Sequence, residues 1–216
     1  MKAIVIGATG ATGKDLVKLL IQDTNYTQID IFVRRKPEIE HEKLTVHIVD
    51  FDQPDTWQDL LNGDIAFSCM GTTLKQAGSK EVQWKIDYTY QYEFAQRAKV
   101  NGVSNFVLVS SAFASPNSPF FYAKMKGQLE EEIKKLDFLK LLIFNPPSLI
   151  REGSTRKTEL FGVKLIQFFN KLGMFRFQKP MKTKFLAQAM LNALEQLNDG
   201  VHILKANSIW QYSKIK

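Results

Sequence analysis

The sequence predicts an α/β protein of three layers, in which helices cover both faces of a doubly wound parallel sheet. Two observations support this prediction. Short apolar runs rich in β-branched residues alternate along the chain with amphipathic stretches of helical period. The strand-like runs are apolar throughout, as in AIVIG at residues 3–7, which is typical of parallel strands buried on both faces.

Each element is predicted from its own pattern. After AIVIG comes GKDLVKLLIQ, in which Leu16, Leu19 and Leu20 share one helical face. The later strands are predicted from QIDIFVRR, LTVHIVDF, DIAFSCMG, NFVLVSS, LKLLIFNPPSLI and GVHILKA. The later helices are predicted from DTWQDLLNG, the stretch from Ser79 to Val100, FYAKMKGQLEEEIKKL, LFGVKLIQFFNKLGMF and FLAQAMLNALEQL. We expect residues 1–216 to form a single domain, with a small helical cap at residues 151–216.

The composition limits the class of protein. With 216 residues, of which 44% are hydrophobic and 24% charged, the chain has the composition of one well-buried globular domain. The single cysteine, Cys69, excludes an intramolecular disulfide and a cysteine-based zinc site. Because the opening run also lacks a secretory pattern, we expect a cytoplasmic protein. His41, His47 and His202 have no partners at metal-ligand spacing, so no metal site is predicted.

The charge pattern bears on possible partners. The formal net charge is +7, but the basic residues are scattered apart from VRRK and STRKTE. Aromatic residues do not interleave with them as a stacking platform requires, so we expect no nucleic-acid partner. No stretch approaches the roughly 20 apolar residues of a membrane span. We therefore expect no membrane partner either.

Three glycines lie at the junction of the first predicted strand and helix. Gly7 permits a tight turn, Gly10 lets the backbone approach a pyrophosphate, and Gly13 lets the helix pack on the strand. The N–H groups at the start of the helix would favour the anion. Lys14 is followed by Asp15, so this is not a P-loop. The pattern favours the dinucleotide site of a Rossmann fold over a merely structural turn.

The end of the second predicted strand bears on the choice of cofactor. An NAD site usually has an acidic residue there to bind the ribose hydroxyls. Here Arg34 and Arg35 follow DIFV, and a guanidinium suits a 2′-phosphate. The sequence therefore favours NADP over NAD, unless both arginines are simply solvated. Asp50, after the third strand, would lie near the adenine amino group or else cap a loop.

A serine, a tyrosine and a lysine form a second candidate set. Tyr122 and Lys126 are four residues apart on a predicted helix and therefore share one face. Ser110 and Ser111 end the fifth strand, at the sheet edge where such folds bind ligands. A lysine ammonium favours the phenolate of a neighbouring tyrosine and would lower its pKa. A serine hydroxyl could then hold a carbonyl oxygen while the tyrosine transfers a proton. The alternative is an ordinary helix face.

The motifs GATGATG, VRR, SCMGTT, VSS, YAKMKG and FNPPSLI, in this order and spacing, resemble the short-chain dehydrogenases/reductases in their atypical, NAD(P)-binding branch. The resemblance covers nearly the whole chain. It implies these pyrophosphate-binding residues: Gly7, Thr9, Gly10, Ala11, Thr12 and Gly13. It implies these further cofactor contacts: Arg34 and Arg35 at the 2′-phosphate, Met70, Gly71 and Thr72 at the adenosine and ribose, and Pro146 beside the nicotinamide. It implies the catalytic set Ser111, Tyr122 and Lys126, with Ser110 as a possible substitute for Ser111.

Two departures from the family pattern are visible. Asp87, in WKIDYTY, stands at a helix position where many members have asparagine. The segment after Ile150 is much shorter than the C-terminal region of the family's sugar-nucleotide epimerases, which argues against a nucleotide-sugar substrate.

We expect an NADP-dependent oxidoreductase for a small carbonyl or alcohol substrate, as a monomer or homodimer, with residues 151–216 on the substrate side. Two alternatives stay open: a non-catalytic NADP-binding protein with a redox-sensing or regulatory role, and an epimerase-like enzyme.

Overall fold

Seven parallel strands form the central sheet of the computed structural model, which describes residues 1–150 and 179–214. The strands of this sheet are β1 (Lys2–Ile6), β2 (Gln28–Val33), β3 (Leu44–Ile48), β4 (Ile65–Ser68), β5 (Asn105–Val109), β6 (Lys140–Asn145) and, after the short pair β7 (Leu149–Ile150) and β8 (Met181–Lys182), β9 (Gly200–Lys205). Their order is β3-β2-β1-β4-β5-β6-β9. The chain therefore moves outward from β1 in one direction and then returns to extend the sheet in the other, which is the doubly wound arrangement predicted.

Helices cover both faces of this sheet. They are α1 (Ala11–Gln22), α2 (Leu74–Ala77), α3 (Lys80–Trp84), α4 (Tyr90–Val100), α5 (Phe121–Lys134), α6 (Thr183–Gln196) and α7 (Ala206–Tyr212). A π-helical turn at Lys85–Thr89 joins α3 to α4. Where DTWQDLLNG predicted one short helix, the chain forms two 3-10 turns, Pro54–Thr56 and Gln58–Leu60.

Alternation along the strands builds two separate cores. Ala3 and Val5 on β1 pack with α1 and α6 on one face of the sheet. Ile4 and Ile6 point to the other face, where they pack with α4 and α5. All four side chains are fully buried, as expected for a central strand of a parallel sheet. Burial on both faces explains why β1 reads as a continuous apolar run.

The C-terminal part of the chain contributes to the main fold. Residues 151–216 were expected to form a cap, but β9 extends the sheet beside β6 and α6 packs against α1. The cap stays a prediction that concerns residues 151–178, including LFGVKLIQFFNKLGMF, which lie outside the described residues. The helix α7 was not predicted. Within the described ranges, every helix is too short or too polar to cross a membrane.

Candidate functional site

The predicted site residues gather at one edge of the sheet. Because all the strands of the main sheet are parallel, their carboxyl ends meet there. The residues that follow strand ends are Gly7 after β1, Arg34 and Arg35 after β2, Asp50 after β3, Met70, Gly71 and Thr72 after β4, Ser110 and Ser111 after β5, and Pro146, which is buried, after β6. The topology thus places motifs from six strands along a single edge.

The glycine turn leaves no room for side chains. Gly7 has a φ of +74°, and a Cβ atom there would lie 2.4 Å from the main-chain carbon of Cys69. A Cβ atom on Gly13 would lie 2.1 Å from the Gly7 carbonyl oxygen, so α1 packs directly on the turn. The Gly10 N–H donates to the same oxygen at 2.9 Å. Two of the three glycines are therefore fixed by close packing of the backbone.

The start of α1 is open to an anion. Gly10 is its N-cap residue and supplies no side-chain hydrogen bond to the first turn. The unpaired N–H groups of a helix start bind phosphate well. Thr9 and Gly10 are exposed at the tip of the turn, Ala11 is half-buried and Thr12 is buried. This arrangement fits a dinucleotide pyrophosphate.

The residues after β2 and β3 form the outer end of the edge. Arg34 and Arg35 are exposed, and Arg34 interacts electrostatically with Tyr90 at the start of α4. The Tyr90 hydroxyl donates to Asp52, which also pairs with Lys85 at 2.6 Å. Burial and this bond raise the pKa of Tyr90. Both guanidinium groups are exposed at this end of the edge, with Arg34 in the electrostatic field of Tyr90.

Asp50 has the loop role that was the alternative for it. Its Oδ1 accepts the Asp52 N–H at 2.9 Å and its Oδ2 accepts the Gln53 side chain at 3.3 Å. Its carbonyl oxygen accepts the Trp57 indole N–H at 2.9 Å. These bonds account for Asp50 without a ligand, and contact with adenine stays a prediction.

Asp87 ties the segment after β4 to the π-helical turn. The Thr72 N–H donates to Asp87 Oδ1 at 2.7 Å, and Gln83 donates to the Thr72 carbonyl at 3.3 Å. Asp87 is fully buried, and its Oδ2 has no hydrogen-bond partner among the described residues. Burial raises the pKa of this carboxyl, while Lys126 and the Thr72 bond oppose the rise.

Tyr122 and Lys126 lie four residues apart on α5, as predicted. Lys126 is 1% exposed, and its Nζ has no hydrogen-bond partner in the described chain. Burial lowers the pKa of Lys126, against the opposing fields of Asp87 and Glu130. Tyr122 is 38% exposed at the mouth of this site. Its hydroxyl end is nevertheless desolvated, and this desolvation, followed by the Asp87 charge, raises the pKa of Tyr122.

The rise in the Tyr122 pKa is opposite to the sequence expectation, which held that a neighbouring lysine lowers it. The expectation took into account only the charge of Lys126. In the fold, Tyr122 is also desolvated and lies in the field of the Asp87 carboxylate, and both effects raise its pKa. A raised pKa makes the Tyr122 hydroxyl a weaker acid than an ordinary tyrosine, so proton transfer from it needs a nearby positive charge that stabilises the tyrosinate. A ligand bound beside Lys126 would change the desolvation and the charges around Tyr122, and would therefore change the pKa of Tyr122.

The two serines after β5 have different partners. The Ser110 hydroxyl donates to Glu130 on α5, and Ser110 is buried. Asn145 at the end of β6 donates both to Glu130 Oε1, at 2.7 Å, and to the Ser111 carbonyl oxygen, at 2.8 Å. Ser111 enters this network through its main chain, and within the described residues its hydroxyl stays available. Burial raises the pKa of Glu130.

Sequence reasoning did not single out Glu130, Asn145 or Gly127. A Cβ atom on Gly127 would lie 2.2 Å from the main-chain carbon of Ser115, so the loop after β5 packs directly on α5. This contact fixes the distance between the serine loop and the helix of Tyr122. The glycine of YAKMKG, Gly127, could have indicated this contact, because a glycine inside a helix is destabilising unless close packing requires it. No local feature of the sequence distinguishes Glu130 from the other charged residues of LEEEIKKL.

The site therefore fits a dinucleotide on two observations. The glycine turn brings backbone N–H groups to an open helix start, and a buried lysine amine on α5 lacks a hydrogen-bond partner in the part of the chain that the structure describes. Ribose hydroxyl groups would satisfy an amine of this kind. The turn residues and Lys126 are the ones that would hold the two ends of such a ligand.

Comparison with known proteins identifies the family. The family model described as NAD(P)H-binding matches residues 7–164, and the chain belongs to this family. It is 37% identical over 204 residues to "Protein FMP52, mitochondrial" of Meyerozyma guilliermondii, covering 91% of this chain and 87% of that protein. It is 33% identical over 216 residues to "Protein HTATIP2" of Rattus norvegicus, covering 97% and 88%. The predicted membership of the atypical, NAD(P)-binding short-chain dehydrogenases/reductases is confirmed.

Solved structures agree on the fold. A short-chain dehydrogenase/reductase superfamily protein from Agrobacterium tumefaciens, solved with bound NAD, superposes with a TM-score of 0.71. The match covers 95% of this chain and 78% of that one, at 13% sequence identity. At this identity the likeness shows the Rossmann fold alone. The predicted α/β fold class is therefore confirmed.

One prediction is wrong. The single cysteine and the lack of a secretory pattern predicted a cytoplasmic protein, whereas the fungal relatives named FMP52 are named mitochondrial proteins. Cysteine content reports only the redox state of a compartment, and it does not distinguish between compartments that keep thiols reduced.

Proposed function

We propose that the protein is an NADP-dependent oxidoreductase that acts on a small carbonyl or alcohol substrate. One observation carries the proposal. The fully buried amine of Lys126 has no hydrogen-bond partner among residues 1–150 and 179–214, and it lies one helical turn from Tyr122 at the edge that holds the glycine turn. Burying an unpaired amine is unfavourable for folding, so its retention points to a ligand and to chemistry at this position.

Each member of the set has a separate role in this proposal. Bound NADPH supplies the hydride. The Ser111 hydroxyl donates a hydrogen bond to the substrate's carbonyl oxygen, since the Ser110 hydroxyl is already bonded to Glu130. Tyr122 transfers its hydroxyl proton to the same oxygen, and this transfer has to overcome the raised pKa of Tyr122. Lys126 stabilises the tyrosinate that remains and holds the ribose.

The preference for NADP rests on Arg34 and Arg35. Both are exposed directly after β2, where NAD-specific sites usually have an acidic residue. Guanidinium groups form charge-assisted hydrogen bonds with phosphate and would select the 2′-phosphate.

The catalytic proposal is tested with Tyr122→Phe in a carbonyl-reduction assay that follows NADPH absorbance. We expect the variant to bind NADPH as the wild type does and to lose at least about 100-fold in kcat. Tyr88→Phe, which keeps its ring stacked on Trp84 at 4.8 Å, is the matched control and should keep full activity. Full activity of Tyr122→Phe would overturn the catalytic proposal. Binding without turnover by the wild type on any carbonyl would favour the non-catalytic alternative.

Cofactor preference is tested separately, by titrating NADPH and NADH against tryptophan fluorescence. Replacing Arg34 and Arg35 with alanine should weaken NADPH binding by about tenfold or more and leave NADH binding nearly unchanged. Lys36→Ala is the control, because Lys36 is exposed in the same loop and pairs with Glu40 at 3.0 Å. Equal affinities of the wild type for the two cofactors would contradict the assignment of NADP.

A further inference from the structure

Glu130 is a buried carboxylate that takes no part in the proposed reaction. It lies one helical turn beyond Lys126 on α5, so Tyr122, Lys126 and Glu130 follow one another on the same face of this helix. Glu130 is 6% exposed. A carboxylate buried to this extent needs hydrogen-bond donors that replace those of water. The donors that it receives indicate its role in the site.

The donors to Glu130 come from the ends of two neighbouring strands. The Ser110 hydroxyl, directly after β5, and the Asn145 side-chain amide, at the end of β6, both donate to Glu130 Oε1, the amide at 2.7 Å. Ser110 and Asn145 are themselves buried. One carboxylate oxygen on α5 therefore joins the ends of β5 and β6 to the helix that carries Tyr122.

Asn145 extends this network to Ser111. Its side-chain nitrogen also donates to the Ser111 carbonyl oxygen at 2.8 Å. Because both neighbours of this nitrogen are oxygen acceptors, the orientation of the amide is defined. The same carbonyl oxygen accepts the Ala114 N–H at 3.0 Å, which closes the turn after β5. The main chain of Ser111 is thus held by two donors, one of which is fixed by Glu130.

We propose that Glu130 is a positioning residue that acts through Asn145 and sets where the Ser111 hydroxyl lies relative to Tyr122. This inference rests on the proposed function for its effect on turnover, whereas the hydrogen-bonded network itself does not. A hydrogen bond to the reacting oxygen is effective only within a narrow range of positions, so a serine on a loop needs support from packed neighbours. Ser110 belongs to this support, because its hydroxyl is bonded to Glu130.

Two substitutions of Glu130 test the proposal in the carbonyl-reduction assay. Glu130→Gln keeps an oxygen that can accept both hydrogen bonds, whereas Glu130→Leu has no acceptor. We expect Glu130→Leu to lose about tenfold or more in kcat, with NADPH affinity within about twofold of the wild type, and Glu130→Gln to keep most of kcat. Glu131→Leu is the control, because Glu131 is exposed and pairs with Lys134 at 2.8 Å. It should keep full activity.

A double-mutant cycle distinguishes the positioning of Ser111 from general support of the fold. If Glu130 acts through Ser111, adding Glu130→Leu to Ser111→Ala should lower kcat by less than about threefold further, since the hydroxyl to be positioned is already absent. Additive losses in this cycle would overturn the proposal. Full kcat in Glu130→Leu, or equal losses in Glu130→Leu and Glu130→Gln, would overturn it as well.

Amide hydrogen exchange provides a measurement on the wild type, which needs neither turnover nor a folded variant. The Ala114 N–H should exchange at least about tenfold more slowly than the Ser118 N–H, which donates to the Ser115 carbonyl at 3.1 Å in the same loop. Both residues are half-buried. Equal exchange rates of these two amides would overturn the proposal. In a folded Glu130→Leu variant, exchange at Ala114 should become faster while that at Ser118 stays the same.

The two kinds of measurement separate this inference from the proposed function. If no carbonyl compound is turned over but Glu130→Leu accelerates exchange at Ala114 as expected, the proposed function fails and the support of Ser111 by Glu130 stands. If turnover occurs and Glu130→Leu changes neither kcat nor exchange at Ala114, the proposed function stands and this inference fails.

Discussion

The two edges of the central sheet differ in how their lysines are paired: the lysines at the amino edge are half-buried and hydrogen-bonded, whereas Lys126 at the carboxyl edge is buried. At the amino edge, Lys43 and Lys140 each donate two hydrogen bonds to main-chain carbonyls at the carboxyl ends of α1 and α6, at 2.6 to 3.2 Å. Lys2 pairs with the buried Asp30 at 3.1 Å. At the carboxyl edge, Lys126 is more deeply buried than any of these and has no hydrogen-bond partner in the described chain.

The amino edge also has a cavity of about 560 Å³, lined among others by Asn105 and Asn192. The amide groups of these two residues donate to main-chain carbonyls, at 2.9 and 2.7 Å. A concave surface is therefore present where the polar groups are already satisfied. Four buried side-chain atoms in the described residues have no hydrogen-bond partner: Asp87 Oδ2, Lys126 Nζ and Asn145 Oδ1 at the carboxyl edge, and Arg97 Nε on α4.

This difference in hydrogen bonding distinguishes the lysines that stabilise the fold from the lysine for which we propose a ligand. Buried polar groups in a folded chain are nearly always paired, so unpaired ones need another explanation. Paired lysines at the amino edge close the ends of helices and hold the sheet together. A buried lysine at the carboxyl edge that lacks a hydrogen-bond partner in the described residues costs stability, and this cost is the basis of the proposed function. The proposed site therefore rests on missing hydrogen bonds within the described residues and not on the size of a cavity.

The sharpest test of this difference is Lys126→Met. We expect kcat to fall by about 100-fold or more, because the tyrosinate loses its ammonium. We expect no loss in the free energy of unfolding at pH 5, since methionine fills the space of the stem and the amine has no hydrogen bond to lose within the described residues. Kinetics and urea unfolding measure the two quantities. Lys124→Met, at an exposed position of α5, is the control and should change neither.

A lower stability of Lys126→Met at pH 5, similar to that expected for a paired lysine, would break the comparison. It would mean that Lys126 contributes to folding in the same way as the lysines of the amino edge.

The next largest effect on stability and cofactor binding is expected at the glycine turn. Gly13→Ala would put a Cβ atom 2.1 Å from the Gly7 carbonyl oxygen and force α1 away from the turn. We expect a loss of about 1–3 kcal/mol in the free energy of unfolding. We also expect NADPH affinity to fall by about tenfold or more, as the helix start moves. Urea unfolding and fluorescence titration measure these changes.

Gly71→Ala is the control for this prediction, since a Cβ atom there meets nothing within 4 Å. It should be as stable as the wild type. Normal NADPH binding by a folded Gly13→Ala variant would contradict the assignment of the turn to the pyrophosphate.

Much of the carboxyl edge could be predicted because its signals are local. Gly7 and Gly13 are needed by the backbone next to them, and apolar strands show their burial residue by residue. Parallel strands then bring separate motifs to one edge without any further information. Tyr122 and Lys126 share a helical face through their spacing alone.

The remainder of the site depends on contacts between distant segments. Ser110 and Ser111 are neighbours with the same chemistry, and only the packing of Glu130 and Asn145 distinguishes their hydroxyls. The electrostatic interaction of Asp87 with Lys126 depends on how α5 packs against the π-helical turn. The rise in the pKa of Tyr122 follows mainly from burial, which the spacing of residues along the sequence does not show.

The pH dependence of stability gives a smaller effect at the same edge. Burial raises the pKa of Asp87 in the fold, so its contribution to stability is full below its unfolded pKa of about 3.9 and is lost as the pH rises through the folded value. Asp87→Asn removes this dependence. Between pH 4 and 7 the variant should therefore gain stability relative to the wild type, by about 1.4 kcal/mol for each unit of the raised pKa.

Urea unfolding at several pH values measures this gain. A difference between Asp87→Asn and the wild type that stays constant over this range would show that burial does not control the carboxyl.

The smallest effect is expected at the amino edge. Lys140→Met keeps most of the apolar stem but removes two hydrogen bonds to the end of α6, at 2.6 and 3.2 Å. We expect the free energy of unfolding to fall by about 1 kcal/mol, with NADPH affinity and kcat unchanged. Lys205→Met, an exposed lysine on β9, should leave all three quantities as they are. A change in NADPH affinity in Lys140→Met would show that the edges are coupled through β6, and that pairing at one edge contributes to binding at the other.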